Sequence, residues 1–400
     1  MRVLYCHDNI YQQSLDGVVY SPGQFPYQYW QTFLNHFDHL VIAGRGVPVS
    51  EPIEKLNVSS APDVSFILLP NINTPWGLLK YKRQVNRRLK EAVKESDGVI
   101  IRAVSDIGWL AYKHAKKMGK PIAMEMAACA WDSTWNHGNK LGKLYAPIRY
   151  IRDRIITHNA NHVIYVSQQF LQKRYPTNGQ VETASNVRIK LNDPDILNKR
   201  LDSMNNQAKK TQKPYVIGLI GNLDNKIKGV ADTLQALKKV ETQRPNSFIF
   251  KHLGPGNAAP YVQLAKELGL TDKVQFDGMI QSGQAVLDWL DTIDLYLQPS
   301  YQEGVPRATI EAMSRGCPVI ASHAGGIPEL IDHQWLIKPG HVEKLSELII
   351  HMLDDTDNRI IAASKNYEKS SEYTNEFLSP RRRLFWQDYA QFIEQQQKLS

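Results

Sequence analysis

Two glutamates, Glu303 and Glu311, stand eight residues apart in "EGVPRATIEAMSRGCPVIASHAGGIPEL" (residues 303–330). Pro306 fits the first position of a helix, where a missing N–H costs nothing. The helix then runs through "RATIEAMSRG" and stops at Gly316, and Pro318 opens the next strand. Glu303 therefore falls in the preceding turn, and Glu311 about one and a half turns into the helix. The unpaired N–H groups of a first helical turn form an anion site of the kind that holds phosphate. A carboxylate beside such a site accepts hydrogen bonds from hydroxyls, which suits a sugar or a ribose. The competing reading has Glu303 stabilising the helix N-terminus and Glu311 facing solvent, and the local pattern leaves both open.

Other chemistry-bearing patterns are few. The sequence has no G-x-x-x-x-G-K-[ST] loop, no H-E-x-x-H, no G-x-S-x-G and no C-x-x-C. "GPGNAA" (254–259) lacks the third glycine of a dinucleotide fingerprint and reads equally well as a tight strand-to-helix turn. Asp355 and Asp357 in "LDDTDN" read as a helix end, so no metal site is expected. Cys6, Cys129 and Cys317 are too scattered for a disulfide framework or a zinc site, which points to buried free thiols in a reducing cytoplasm. Trp131, Asp132, Trp135 and His137 gather within "EMAACAWDSTWNHGNK" (125–140). Two indoles beside an acid and an imidazole suit stacking on a sugar and bonding to its hydroxyls; a packed aromatic loop is the alternative.

These groups need elements to hold them, and the chain supplies short apolar runs alternating with amphipathic stretches in both halves. "RVLYC", "HLVIAG", "SFILL", "DGVIIR", "PIAMEM" and "HVIYVS" read as strands, followed later by "YVIGLIG", "FIFKHLG", "VQFDG", "DLYLQ" and "PVIAS". The alternation is that of βαβ units, and 400 residues exceed one ordinary core. The expected fold class is α/β, with two Rossmann-like doubly wound domains and a cleft between them. The expected boundaries are 1–190 and 214–378, a polar linker at 191–213 and a C-terminal helix, 379–400, packing back toward the first domain. That helix carries Phe385, Trp386, Tyr389 and Phe392.

Net charge is +8, but residues 1–200 carry 26 Lys and Arg against 16 Asp and Glu, and residues 201–400 carry 22 against 24. The surplus concentrates in "KYKRQVNRRLKEAVK" (80–94) and "IRYIRDR" (148–154), which suggests an anionic partner such as a lipid surface or a pyrophosphate-bearing substrate. No nucleic-acid-binding pattern surrounds these runs. The N-terminus has no secretory apolar region.

The stretch "DLYLQPSYQEGVPRATIEAMSRGCPVIASHAGGIPELI", with "GLIGNLDNKIKGVADTLQAL", "FKHLGPG" and "KVQFDGMI" upstream, resembles the signature of retaining, nucleotide-sugar-dependent glycosyltransferases of family 4, which have the GT-B fold. The resemblance covers residues 214–335. It implies that Glu311 holds the ribose hydroxyls of a nucleotide-diphosphate sugar and that Glu303 lies against the donor sugar. It implies backbone contacts from Gly304, Val305, Pro306, Arg307 and Ala308 to sugar and diphosphate, and from Met279 and Ile280 to the base. Lys228 would lie on the diphosphate as a compact cation. Where the family carries an arginine this chain has Asn222, so one customary cation is missing, and Arg307 is the candidate substitute. Gly17 offers a place for backbone to approach the diphosphate from the N-terminal half, as does Gly23. The 125–140 loop corresponds to the region where relatives place a histidine against the donor sugar.

The resemblance implies a metal-independent transfer of a sugar, with retention, to an acceptor hydroxyl. A UDP-sugar is the expected donor, with no further cofactor. The acceptor is expected to be a carbohydrate or lipid-linked saccharide in bacterial surface-polysaccharide or glycolipid assembly, with peripheral contact to anionic membrane at its inner face. Two other functions remain open from sequence: a nucleotide-sugar epimerase on the same fold, and a catalytically silent sugar-nucleotide-binding partner subunit.

Overall fold

The computed structural model describes residues 1–21, 25–48, 56–136, 140–187, 189–190, 193–209 and 214–399. The chain divides into two compact units, Met1–Ala184 with Ser379–Ser400, and Ser185–Leu378.

The first unit contains β1 (Arg2–Gln13), β2 (Val19–Ser21), β3 (His39–Pro48), β4 (Asn57–Val58), β5 (Val64–Leu69), β6 (Gly98–Arg102), β7 (Ile122–Met126), β8 (His162–Tyr165) and β9 (Gln180–Thr183). Its parallel core runs β5-β3-β1-β6-β7-β8-β9. Strands in such a sheet are covered on both faces and are apolar on both. Leu4 and Cys6 point into a core with Val85, Leu89, Ile107 and Ala111; Tyr5 points the other way, against Trp30 and Phe33. The strand read as "RVLYC" is longer than expected. Past a register shift between Cys6 and Ile10 it continues along β3 and takes β2 antiparallel beside it.

The C-terminal helix, Asn375–Leu399, gives all but its first four residues to this unit. Trp386, Tyr389 and Ile393 are fully buried, and Trp386 packs 4.8 Å from Phe33, centroid to centroid. The Tyr389 hydroxyl lies within hydrogen-bonding distance of Val99 N and of the Val99 and Pro121 carbonyls. Gly98 lets the helix pack closely there: a Cβ would stand 2.5 Å from Ile393 Cδ1, and that side chain would have to shift.

The second unit contains β10 (Tyr215–Ile220), β11 (Phe248–Leu253), β12 (Val274–Gly278), β13 (Leu295–Gln298), β14 (Val319–Ser322) and β15 (Leu336–Ile337), all parallel in the order β12-β11-β10-β13-β14-β15. Strand order reverses between β10 and β13, and in such sheets ligands bind beyond the carboxyl ends of strands at that point.

The expected linker is a correction. Residues 194–209 form the helix Pro194–Lys209 of the second unit, not a tether. Arg200 is buried and donates to the carbonyls of Ile293 at 2.6 Å, Leu290 at 3.0 Å and Arg315 at 3.1 Å. A polar composition concealed one buried arginine that closes three carbonyls, and the second unit accordingly begins at Ser185. Among the described residues no helix is long and apolar enough to cross a membrane.

Candidate functional site

The carboxyl ends of β10 and β13 deliver two loops that are stitched together. In the first, Asn225 caps the single turn Lys226–Lys228, and Gly229 follows with φ +71°. A Cβ on Gly229 would lie 2.4 Å from Pro299 O, so only glycine lets the loops approach. Tyr301 N donates to Ile227 O at 2.8 Å. The result is an ion pair across 75 residues of sequence, Lys228 Nζ to Glu303 Oε1 at 2.7 Å.

Glu303 is held a second time. Gln298, the buried last residue of β13, donates from Nε2 to Glu303 Oε1 at 2.9 Å and to Ser300 Oγ at 2.8 Å. Its Oε1 accepts from Tyr296 OH at 2.9 Å and Thr309 Oγ1 at 3.1 Å. Both amide hydrogens and two acceptor directions are used, so the side chain has one orientation. Sequence reading passed over Gln298; the signal was a polar residue closing the otherwise apolar "DLYLQ".

The backbone of the Glu303 loop is fixed from behind. Gly326 N donates to Gly304 O at 2.7 Å, and a Cβ on Gly325 (φ +57°) would stand 1.8 Å from Glu303 O. The Gly-Gly pair after β14 thus exists to let this turn lie flat against the glutamate loop.

The helix starts at Arg307 with Pro306 as its N-cap, one residue later than expected, and no side chain caps it. The N–H groups of Gly304, Val305, Arg307, Ala308 and Thr309 have no partner among the described residues, leaving an electropositive helix end beside Glu303. Glu311, half-buried on this helix, also has no side-chain hydrogen bond among the described residues. Burial raises its pKa, against the opposing charge of Arg307. Arg307 itself is exposed. The sheet edge therefore assembles a paired lysine and glutamate, free N–H donors and a second glutamate available as acceptor. Such a set binds a polyanion bearing hydroxyls.

The remaining expected residues fall differently. Met279 and Ile280 follow β12 at the same sheet edge and are exposed, at 63% and 38%. Asn222 Oδ1 accepts from Asp224 N at 2.8 Å, and Asp224 Oδ1 in turn accepts from Asn257 N at 2.9 Å. Asparagine here closes a turn. Gly17 (φ +87°) lies in the exposed turn between β1 and β2. Trp131 stacks on Trp135 at 5.4 Å and meets Tyr150 edge-on at 6.0 Å, and Asp132 pairs with Arg174 at 3.0 Å. Trp131, Asp132 and Trp135 stand on a short helix, Ala130–Trp135, rather than on a loop, and Trp135 is 39% exposed. His137 and Gly23 lie outside the described residues. Asp355 caps the helix Thr356–Ser370 through Asn358 N, and among the described residues no group of three or more His, Cys, Asp or Glu is placed to hold a metal.

Residues 214–355 match the model of the family "Glycosyl transferases group 1". Protein CapJ of Staphylococcus aureus is 30% identical over 395 residues, spanning 98% of this chain and 97% of CapJ. The chain belongs to the group 1 glycosyltransferases. Over a shorter stretch of 150 residues, 35% of the chain and 36% of the relative, this glycosyltransferase is 30% identical to the amylovoran biosynthesis glycosyltransferase AmsK of Erwinia amylovora. Its fold matches sucrose-phosphate synthase from Thermosynechococcus elongatus over 100% of both chains, with a TM-score of 0.65 and 17% identity. HepE of Anabaena, solved in complex with UDP, matches over 99% of this chain and 100% of its own with a TM-score of 0.61 and 17% identity. These likenesses establish GT-B architecture for the glycosyltransferase: an α/β chain of two units built on parallel sheets.

Proposed function

We propose that this glycosyltransferase moves a sugar from a nucleoside-diphosphate sugar, UDP-linked, to an acceptor hydroxyl with retention at the anomeric carbon. The observation that carries the reading is Lys228, Glu303 and the uncapped helix end gathered where strand order reverses. Glu311 takes the ribose hydroxyls, and the helix N–H groups with Lys228 and Arg307 take the diphosphate. Glu303 orients the sugar. The bond from the anomeric carbon to the diphosphate oxygen breaks, the acceptor oxygen bonds to the same face, and its proton passes to the departing phosphate. Preorganised donors at the leaving group supply the catalysis, so no metal is called for. The resemblance to AmsK supports an acceptor that is a growing surface polysaccharide. The basic first half supports a lipid-linked form of it, met by peripheral contact with anionic membrane at its inner face.

The test is a thermal-shift panel of UDP, GDP, ADP and their sugars, with and without divalent metal, on wild type and Glu311→Ala. A ligand specific for the folded state raises Tm by mass action. UDP compounds should stabilise the wild type independently of metal and lose the effect in the variant. No shift at millimolar ligand would overturn the donor assignment.

A further inference from the structure

Helix Lys140–Asn159 carries Leu141, Leu144, Ile148, Ile151 and Ile155, spaced by three, four, three and four residues. That spacing puts all five on one face. Every one is exposed, from 37% at Ile155 to 74% at Leu144, while Ala146, Asp153, Ile156 and Thr157 seat the opposite side. A contiguous apolar stripe left open to water marks a contact surface.

Its charge surroundings say what it contacts. Helices Pro75–Lys94, Asp106–Lys117 and Lys140–Asn159 carry seven, three and five lysines and arginines against one acid each. The acids of the latter two, Asp106 and Asp153, are buried. Positive charge is continuous across the three helices: burial lowers the pKa of Lys113 on the middle one, and Lys82 and Arg152 from its neighbours lower it further. One exposed aromatic, Trp135, borders the stripe. Trp135 lies beneath Lys143, 5.5 Å from ring centroid to Nζ, and Trp76 stands 79% exposed at the start of the first helix.

We propose that this face docks on an anionic lipid bilayer. The aliphatic stripe enters the interfacial layer, the indoles sit at headgroup level, and the lysines and arginines meet the lipid phosphates. A second copy is the poorer occupant, because pairing two such helices opposes like charges along both flanks. Nucleic acid would use the charge but not five aliphatic side chains. The inference rests on the peripheral-contact part of the proposed function and assigns it to named residues.

Full-length protein is sedimented with sucrose-loaded vesicles of phosphatidylcholine, with or without phosphatidylglycerol, at low salt. Wild type should pellet only with phosphatidylglycerol. Leu144→Ser with Ile151→Ser, and separately Lys143→Glu with Arg154→Glu, should each weaken binding by about tenfold or more. All of these residues are partly or fully exposed, so Tm should stay at the wild-type value. The proposal fails if wild type remains in the supernatant, or if the serine pair pellets unchanged. It also fails if sedimentation velocity shows a dimer that the serine pair dissolves. Pelleting uses no sugar nucleotide, so this outcome and that of the donor panel are read separately.

Discussion

Gln298 and Lys228 donate to the same oxygen, Glu303 Oε1, at 2.9 and 2.7 Å. One comes from the end of a strand and the other from a single helical turn, so Glu303 is triangulated by two rigid elements. Among the described residues its second oxygen accepts no hydrogen bond.

Replacing Gln298 by leucine should cost about 10- to 100-fold in kcat/KM, the worth of a hydrogen bond to a charged group. The loss should fall mainly on kcat if Gln298 positions Glu303. Gln298→Glu sets a second carboxylate against the first and restores a donor only when protonated. Its activity relative to wild type should therefore rise as pH falls. A flat ratio across pH would assign Gln298 to packing alone.

Lys228→Met removes the cation proposed for the departing diphosphate and leaves Glu303 with one donor. A fall of about 100- to 1,000-fold in kcat is expected, the scale seen when one leaving-group or oxyanion donor is lost. Lys228→Arg should recover only part, because a planar fork does not replace a compact ammonium. Steady-state kinetics on the three proteins decide it.

Gly325→Ala drives a methyl to within 1.8 Å of Glu303 O and forces a left-handed φ of +57°. A stability loss of about 1–3 kcal/mol is expected from the backbone strain. The donor-induced thermal shift should shrink as well, since the Glu303 loop must move. Ala at Gly119, also at positive φ but with nothing within 4 Å of its Cβ, is the control that should spare the shift.

Burial lifts the Asp153 carboxyl to about 8; Arg149 opposes, and Asp106 and Asp8 add to the rise. The folded chain thus keeps a proton that the unfolded chain releases near 3.8. Stability from this group is present below the unfolded value and is lost as pH rises toward about 8, at up to ~1.4 kcal/mol per pH unit. Asp153→Asn should flatten that slope, so melting curves from pH 5 to 9 should show the variant gaining on wild type with rising pH.

The strands were legible because parallel sheets covered on both faces need unbroken apolar runs, and "DGVIIR" and "DLYLQ" have little else they can be. Glu303 and Lys228 were legible as candidates from resemblance, but their 2.7 Å contact was not. It depends on Gly229 and Tyr301 closing two loops, which no local pattern records. Arg200 and Asn222 show the same limit from opposite sides. A charged residue in a polar segment turned out to be buried, and an asparagine at a cation's position turned out to hold a turn. The stripe on Lys140–Asn159 was printed in the sequence all along, yet spacing alone cannot separate an apolar face turned to the core from one turned to water.

The first unit needs residues 379–400 to be whole. Chains generally fold domain by domain as they leave the ribosome, N-terminal part first. Here the first unit is the last to have all of its residues made. Residues 185–378 are complete and free to fold while the earlier-made sheet still lacks Trp386, Tyr389 and Ile393 on one face. The sheet face that Trp386, Tyr389 and Ile393 cover is thus the last part of the first unit to receive its covering residues.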